Sequence, residues 1–163
     1  MKKYVFLIVA LLSAVGMKAQ FAWDVEVGDF RYDLFDDQHA ALKGAVSVSA
    51  DEMTVPSTFV YEGVTYTVTE LNGWNSDKVV KTLTLPSTLV SVNVNGYINV
   101  EAFAINSSNS KFSVESGVLF SKNQTTLIAF PRLKDKTSYT VPSTVTVIGR
   151  NAFSNNEKLS ACC

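Results

Sequence analysis

A chain of 163 residues with 14 basic and 15 acidic side chains and one histidine has the length of one domain and no basic excess. That balance argues against the basic stripe that a nucleic-acid partner requires. The two cysteines, Cys162 and Cys163, are adjacent and terminal, so they staple no distant loop and the core must come from apolar packing.

The first residues form a leader pattern. Lys2 and Lys3 supply a basic start, Tyr4 to Val15 an apolar run, and Met17-Lys18-Ala19 a processing site before Gln20. The run has about a dozen residues, short of the ~20 that a spanning helix needs, so residues 1–19 read as a cleaved signal peptide and not an anchor. No cysteine follows the run, so a lipoprotein anchor is not indicated. Cleavage near Ala19-Gln20 sends the mature chain out of the cytoplasm: secreted, at the cell surface or in the periplasm. Lys2, Lys3 and Lys18 leave with the leader, so 11 basic residues face 15 acidic ones and the net charge becomes −4.

Residues 20–50 carry short alternating stretches, Trp23–Val27, Phe30–Leu34 and Val46–Val48, which predict half-buried strands. Gly28-Asp29 and Asp36-Asp37 fall where turns belong. These residues are expected to form an antiparallel element that caps the open end of the domain beyond residue 50.

From residue 51 a phrase recurs: Thr54-Val55-Pro56-Ser57-Thr58, Thr84-Leu85-Pro86-Ser87-Thr88 and Thr140-Val141-Pro142-Ser143-Thr144. Pro56 and Pro86 are 30 residues apart, inside the 20–50 window that marks stacked repeat units. One such unit buries too few apolar side chains to offset the entropy of ordering it, so neighbours must share a core. Phe59 to Leu71, with Gly63 at its middle, predicts a hairpin. Val80 to Leu85 alternates and predicts a strand closed by Pro86, which has no N–H for a ladder. Glu101–Ile105 predicts another strand. Phe112–Phe120 and Thr125–Pro131, joined by Ser121–Gln124, predict an inserted hairpin near 111–131, which lengthens the spacing from Pro86 to Pro142. Phe153 is expected to plug the interior of the last unit, and Leu159 to open a further, incomplete repeat ending in Cys162 and Cys163. Those cysteines read as small apolar residues of an unfinished strand, with an intermolecular disulfide as the alternative.

Tyr139-Thr140-Val141-Pro142-Ser143-Thr144-Val145-Thr146-Val147-Ile148-Gly149-Arg150-Asn151-Ala152-Phe153 resembles the repeat of the BspA-like leucine-rich-repeat family, secreted and surface proteins of Bacteroidetes and related bacteria. That repeat runs roughly Leu-x-x-Val-x-Ile-Pro-x-Ser-Val-x-x-Ile-Gly-x-x-Ala-Phe. The units after Pro56 and Pro86 depart from it, with Leu71-Asn72-Gly73-Trp74 and Val92-Asn93-Val94-Asn95-Gly96 at the Ile-Gly position. The resemblance implies a mainly β, short leucine-rich-repeat solenoid with an N-terminal strand cap and an inserted hairpin. It also implies a non-catalytic binding module for adhesion, with a host or bacterial surface protein or glycan as partner. The alternatives are a purely structural N-terminal fragment of a longer repeat protein and, remotely, a glycan-active enzyme.

No residue cluster makes a reaction centre. His39 beside Asp36-Asp37 has no serine elbow and reads as a surface turn histidine. The acids Asp24, Glu26, Asp29, Asp33, Asp36 and Asp37 lack the spacing of a calcium loop and read as solvated strand faces and turns. No cofactor is expected. Trp23, Trp74, Tyr61, Tyr66 and Tyr97 are candidates for an exposed aromatic platform, against half-buried packing as the plain reading. Trp74 stands at a degenerate repeat position, and Trp74 and Tyr97 are singled out as the candidate binding surface.

Overall fold

The computed structural model describes residues 24–74, 77–94 and 98–162. The leader, Trp23 and Tyr97 lie outside the described residues. Every regular element within them is a strand, and no helix among them is long and apolar enough to cross a membrane.

The chain opens with β1 (Val25–Val27), β2 (Phe30–Leu34) and β3 (His39–Ala45), paired antiparallel in that order. The predicted strand at Val46–Val48 is not one. Val46 N–H instead donates to the carbonyl of Asp29 at 2.8 Å, and the Ser47 and Ser49 hydroxyls close on the Asp29 carboxylate. β3 shows no alternation because Ala40, Ala41, Leu42 and Ala45 are all buried. A strand covered on both faces has no polar face to reveal it.

Next come β4 (Glu52–Thr54), β5 (Thr58–Tyr61), β6 (Val64–Asn72), β7 (Val80–Leu85), β8 (Ser91–Asn93) and β9 (Val100–Ile105). Two parallel ladders grow from them. One is β4-β7-β9, with Met53, Leu83 and Phe103 in register. The other runs β3-β6-β8, with Leu42, Leu71 and Val92 in register. The first two repeats each lend one strand to each wall, β4 with β6 and β7 with β8, and β3 takes the place that an earlier repeat would fill. The N-terminal element therefore caps the stack by pairing with its edge. The 30-residue spacing of Pro56 and Pro86 is the register itself, since Met53 pairs with Leu83. β5 and β6 form the predicted hairpin, turned by Glu62 (φ 49°) and Gly63 (φ 79°). Left-handed φ at both central residues matches the twist of the flanking strands.

β7 does not alternate strictly. Val80, Leu83 and Leu85 are buried while Lys81 is exposed and Thr82 and Thr84 are half-buried. The spacing of the buried residues is three and then two. β9 repeats this with Val100 and Phe103 buried.

The insert is two hairpins, not one: β10 (Phe112–Glu115), β11 (Val118–Ser121) and β12 (Thr126–Ala129). Ser116 (φ 50°) and Gly117 (φ 79°) split what reads as a single apolar run. β13 (Ser138–Tyr139), β14 (Val147–Ile148) and β15 (Ala161–Cys162) resume the repeat, β14 lying parallel to β12 and β15 parallel to β13. A strand thus does follow Leu159. Most apolar side chains form one core across the stacked repeats. A second, smaller one gathers Val118, Phe120, Leu127, Phe130 and Ala152. Phe153 packs on this second core, 5.3 Å from the Phe130 ring, but is half-buried and not a fully enclosed plug.

Two asparagines tie successive turns of the coil. Asn109 is 1% exposed. Its Oδ1 accepts from the N–H groups of Lys111 and Phe112, both at 2.8 Å, and its Nδ2 donates to the carbonyls of Pro86, Ser87 and Leu89 at 2.9–3.1 Å. Asn156 Oδ1 accepts from Lys158 and Leu159 N–H, and its Nδ2 reaches the Pro131 and Arg132 carbonyls, both at 3.0 Å.

Candidate functional site

The inward turn of Val80, Leu83 and Leu85 leaves the other side chains of β7 on the outer face of the sheet, and the parallel register extends them into rows. Glu52, Thr82 and Ala102 make one row; Thr54, Thr84 and Ala104 make the next. The floor is therefore small: two threonines and two alanines, all half-buried, with Glu52, Thr54, Lys81 and Glu101 exposed around them. Lys81 Nζ donates to Asp51 at 2.6 Å. That bond, with the charges of Asp51 and Glu101, raises the lysine above its ordinary value. One side of the floor has a wall. Phe103 N–H donates to the Gly117 carbonyl at 2.9 Å, so the β10–β11 turn lies against β9. A Cβ placed on Gly117 would stand 3.0 Å from that of Ala102, so only glycine allows this approach. Lys134 Nζ caps the wall by donating to the Ser116 carbonyl at 2.7 Å. Burial, and then the nearby Lys136, hold Lys134 below its ordinary value.

Such a surface offers threonine hydroxyls, alternating charge and little relief. It suits contact with a partner and places no nucleophile beside a base. The face was legible in principle, as the polar positions within the apolar spacing of β7 and β9, but strict alternation obscured it.

The singled-out aromatics do not form this site. Trp74 is a correction: it is 6% exposed and belongs to the main core, because Gly73 (φ 75°) turns the chain inward at the end of β6. Its Nε1 finds no acceptor among the described residues. Tyr97 lies outside the described residues. Tyr61 and Tyr66, by contrast, share one face of the β5–β6 hairpin, half-buried.

His39 is not in a turn but begins β3, half-buried. Its Nδ1 meets the Asp37 carboxylate, its Nε2 lies 3.8 Å from Glu70, and its ring stacks on Phe35 at 4.2 Å. The N-terminal acids are dispersed. Asp24 and Glu26 flank Arg31, at 3.3 and 2.8 Å, Asp33 holds Lys43 at 3.0 Å, and Asp29 accepts the two serines that lower its pKa.

No protein-family model and no curated protein matches the chain. Among solved structures it is similar to a leucine-rich repeat protein from Bacteroides ovatus ATCC 8483, at 19% identity and a TM-score of 0.49, over 86% of this chain and 41% of that one. A leucine-rich repeat protein from Eubacterium ventriosum ATCC 27560 is 15% identical, with a TM-score of 0.47, over 83% of this chain and 57% of that one. One from Bacteroides capillosus ATCC 29799 is 14% identical, with a TM-score of 0.47, over 84% and 96%. The chain thus spans about half the length of the first two. The stacking seen in this chain's own ladders decides the architecture. The fold is a leucine-rich-repeat solenoid. It is mainly β, as the sequence resemblance implies.

Proposed function

We propose that the chain is a non-catalytic interaction module, acting outside the cytoplasm or at the cell surface, that binds a protein or glycan on another surface through the outer face of the β4-β7-β9 sheet. The observation that carries this reading is the floor of Thr82, Thr84, Ala102 and Ala104. The neighbouring strands β7 and β9 place these small side chains in adjacent rows, with Glu52, Lys81 and Glu101 exposed around them. A flat floor of this kind admits a partner's larger side chains, where interface energy concentrates. The leader pattern at residues 1–19 supports the placement outside the cytoplasm.

The test is steric. Thr84→Trp and Ala104→Trp fill the floor without touching the core. Capture of surface proteins or glycans by the purified chain should be lost in both variants while the unfolding midpoint stays within the wild-type range. Capture that survives both substitutions would move the site elsewhere.

A further inference from the structure

The β5–β6 hairpin carries a second constellation that shares no residue with the sheet face. Its register sets Tyr61 opposite Val64 and Phe59 opposite Tyr66, so these four side chains project from one face. Together with Leu34 and Glu62, Tyr61, Val64 and Tyr66 line a groove of about 240 Å³. The groove is built, not incidental. The Tyr66 ring lies 5.9 Å from Phe59 with 22° between planes, and Phe59 stacks on the fully buried Tyr32 at 4.4 Å. A column of rings rooted in the core therefore fixes Tyr66. Glu62 stands beside it at the tip, in the two-residue turn with a left-handed φ of 49°.

The electrostatics are one-sided. Glu62 is the only charged residue lining the groove, and it makes no ion pair among the described residues. The cations of the neighbouring strands are already held elsewhere, Lys43 by Asp33 and Arg31 by Asp24 and Glu26. Arg31 and Lys43 also flank Asp33 on the side of β2 opposite Leu34, since strand side chains alternate. Aromatic rings with an uncompensated carboxylate at their edge are the chemistry of a cation site. The ring faces and the carboxylate attract the charge, and Leu34 and Val64 receive an aliphatic stem. The volume falls below the ~300–1,000 Å³ of pockets for drug-sized ligands, which matches a single side chain.

We infer that this groove takes one arginine or lysine side chain from a basic segment of a partner protein. A neutral sugar ring would also lie against tyrosine, but it would leave Glu62 without a counter-charge, so the basic side chain is the better complement.

The purified full chain is titrated by calorimetry with acetyl-tetraarginine amide, acetyl-tetralysine amide, acetyl-tetraaspartate amide and cellotetraose. A basic peptide should bind, more weakly as salt rises, and the acidic peptide should not. Glu62→Gln and Tyr66→Leu should each weaken that binding about fivefold to tenfold. Glu115→Gln, which removes the same charge from β10, should leave it unchanged. Circular dichroism melts of each variant confirm that the fold is retained. Failure of both basic peptides to bind, equal binding by wild type and Glu62→Gln, or binding of cellotetraose alone would overturn the inference. Since the sheet-face variants leave the hairpin untouched, either site can fail while the other stands.

Discussion

Asn109 and Asn156 perform the same operation at different turns of the coil. Each carboxamide accepts from the amides two and three residues ahead and donates to carbonyls of the preceding turn. Both stand in the pattern Asn-x-Lys-apolar, Asn109-Ser110-Lys111-Phe112 and Asn156-Glu157-Lys158-Leu159. A carboxamide carries an acceptor oxygen and a two-proton donor on one planar group, so neither aspartate nor leucine can replace it.

Burial separates the two. Asn109→Ala removes five hydrogen bonds, three of them in buried settings, and should cost roughly 2–4 kcal/mol. Asn156→Ala, at a half-buried site that water can reach, should cost about 1 kcal/mol. Asn109→Asp should not rescue the loss, because it sets a carboxylate against carbonyl oxygens. Urea unfolding of the three variants gives the order directly.

Tyr32 is fully buried and its hydroxyl has no partner among the described residues. Tyr32→Phe should therefore stabilise the chain, by about 1 kcal/mol at neutral pH. The phenol also has a pH signature. Burial pushes its ionisation well above the ordinary value of 10.0. The native state keeps its proton while the unfolded chain loses one, so the contribution is complete below pH 10 and falls as pH rises beyond it. The slope approaches about 1.4 kcal/mol per pH unit. Alkaline unfolding of Tyr32→Phe should show a correspondingly shallower decline.

Gly63 and Gly117 share a φ of 79° and differ only in surroundings. Nothing lies within 4 Å of a Cβ at Gly63, whereas one at Gly117 meets Ala102 and the Lys134 ammonium. Gly63→Ala should cost only the left-handed strain, about 1 kcal/mol. Gly117→Ala should cost more, about 2 kcal/mol, and should lift the β10–β11 turn off β9. Amide exchange at Phe103, whose N–H donates to the Gly117 carbonyl, reports that movement.

Core placement of Trp74 is checked by two substitutions. Trp74→Ala should cost about 3–5 kcal/mol, the penalty of a core aromatic truncated to methyl. Trp74→Phe should cost much less, roughly 1 kcal/mol, since no hydrogen bond from Nε1 is lost among the described residues. A tryptophan exposed for binding would show neither loss.

The repeat was legible because its signal is covalent spacing. Pro56 and Pro86 mark corners, and the interval between them sets which strands become neighbours. β3 was not legible, since burial on both faces erases alternation. The Val80, Leu83, Leu85 spacing, three and then two, departs from the period of two that marks a strand. Trp74 misled for a different reason. A departure from the repeat motif reads as functional, yet in the fold it is a large side chain packed into the main core. The rows of the sheet face depend on register between strands 20 and 30 residues apart, whereas the tyrosine groove adds only Leu34 to a hairpin that the local pattern does show.

Met53 lies 30 residues from its ladder partner Leu83, Leu83 lies 20 from Phe103, and Tyr139 lies 23 from Cys162. Neighbouring strands stay aligned because the surplus of the longer unit is shunted into the β5–β6 arm. Loop length and wall geometry are thereby decoupled. The tip at Glu62-Gly63 is a natural splice point, where added sequence would hang beside the walls and leave their alignment undisturbed.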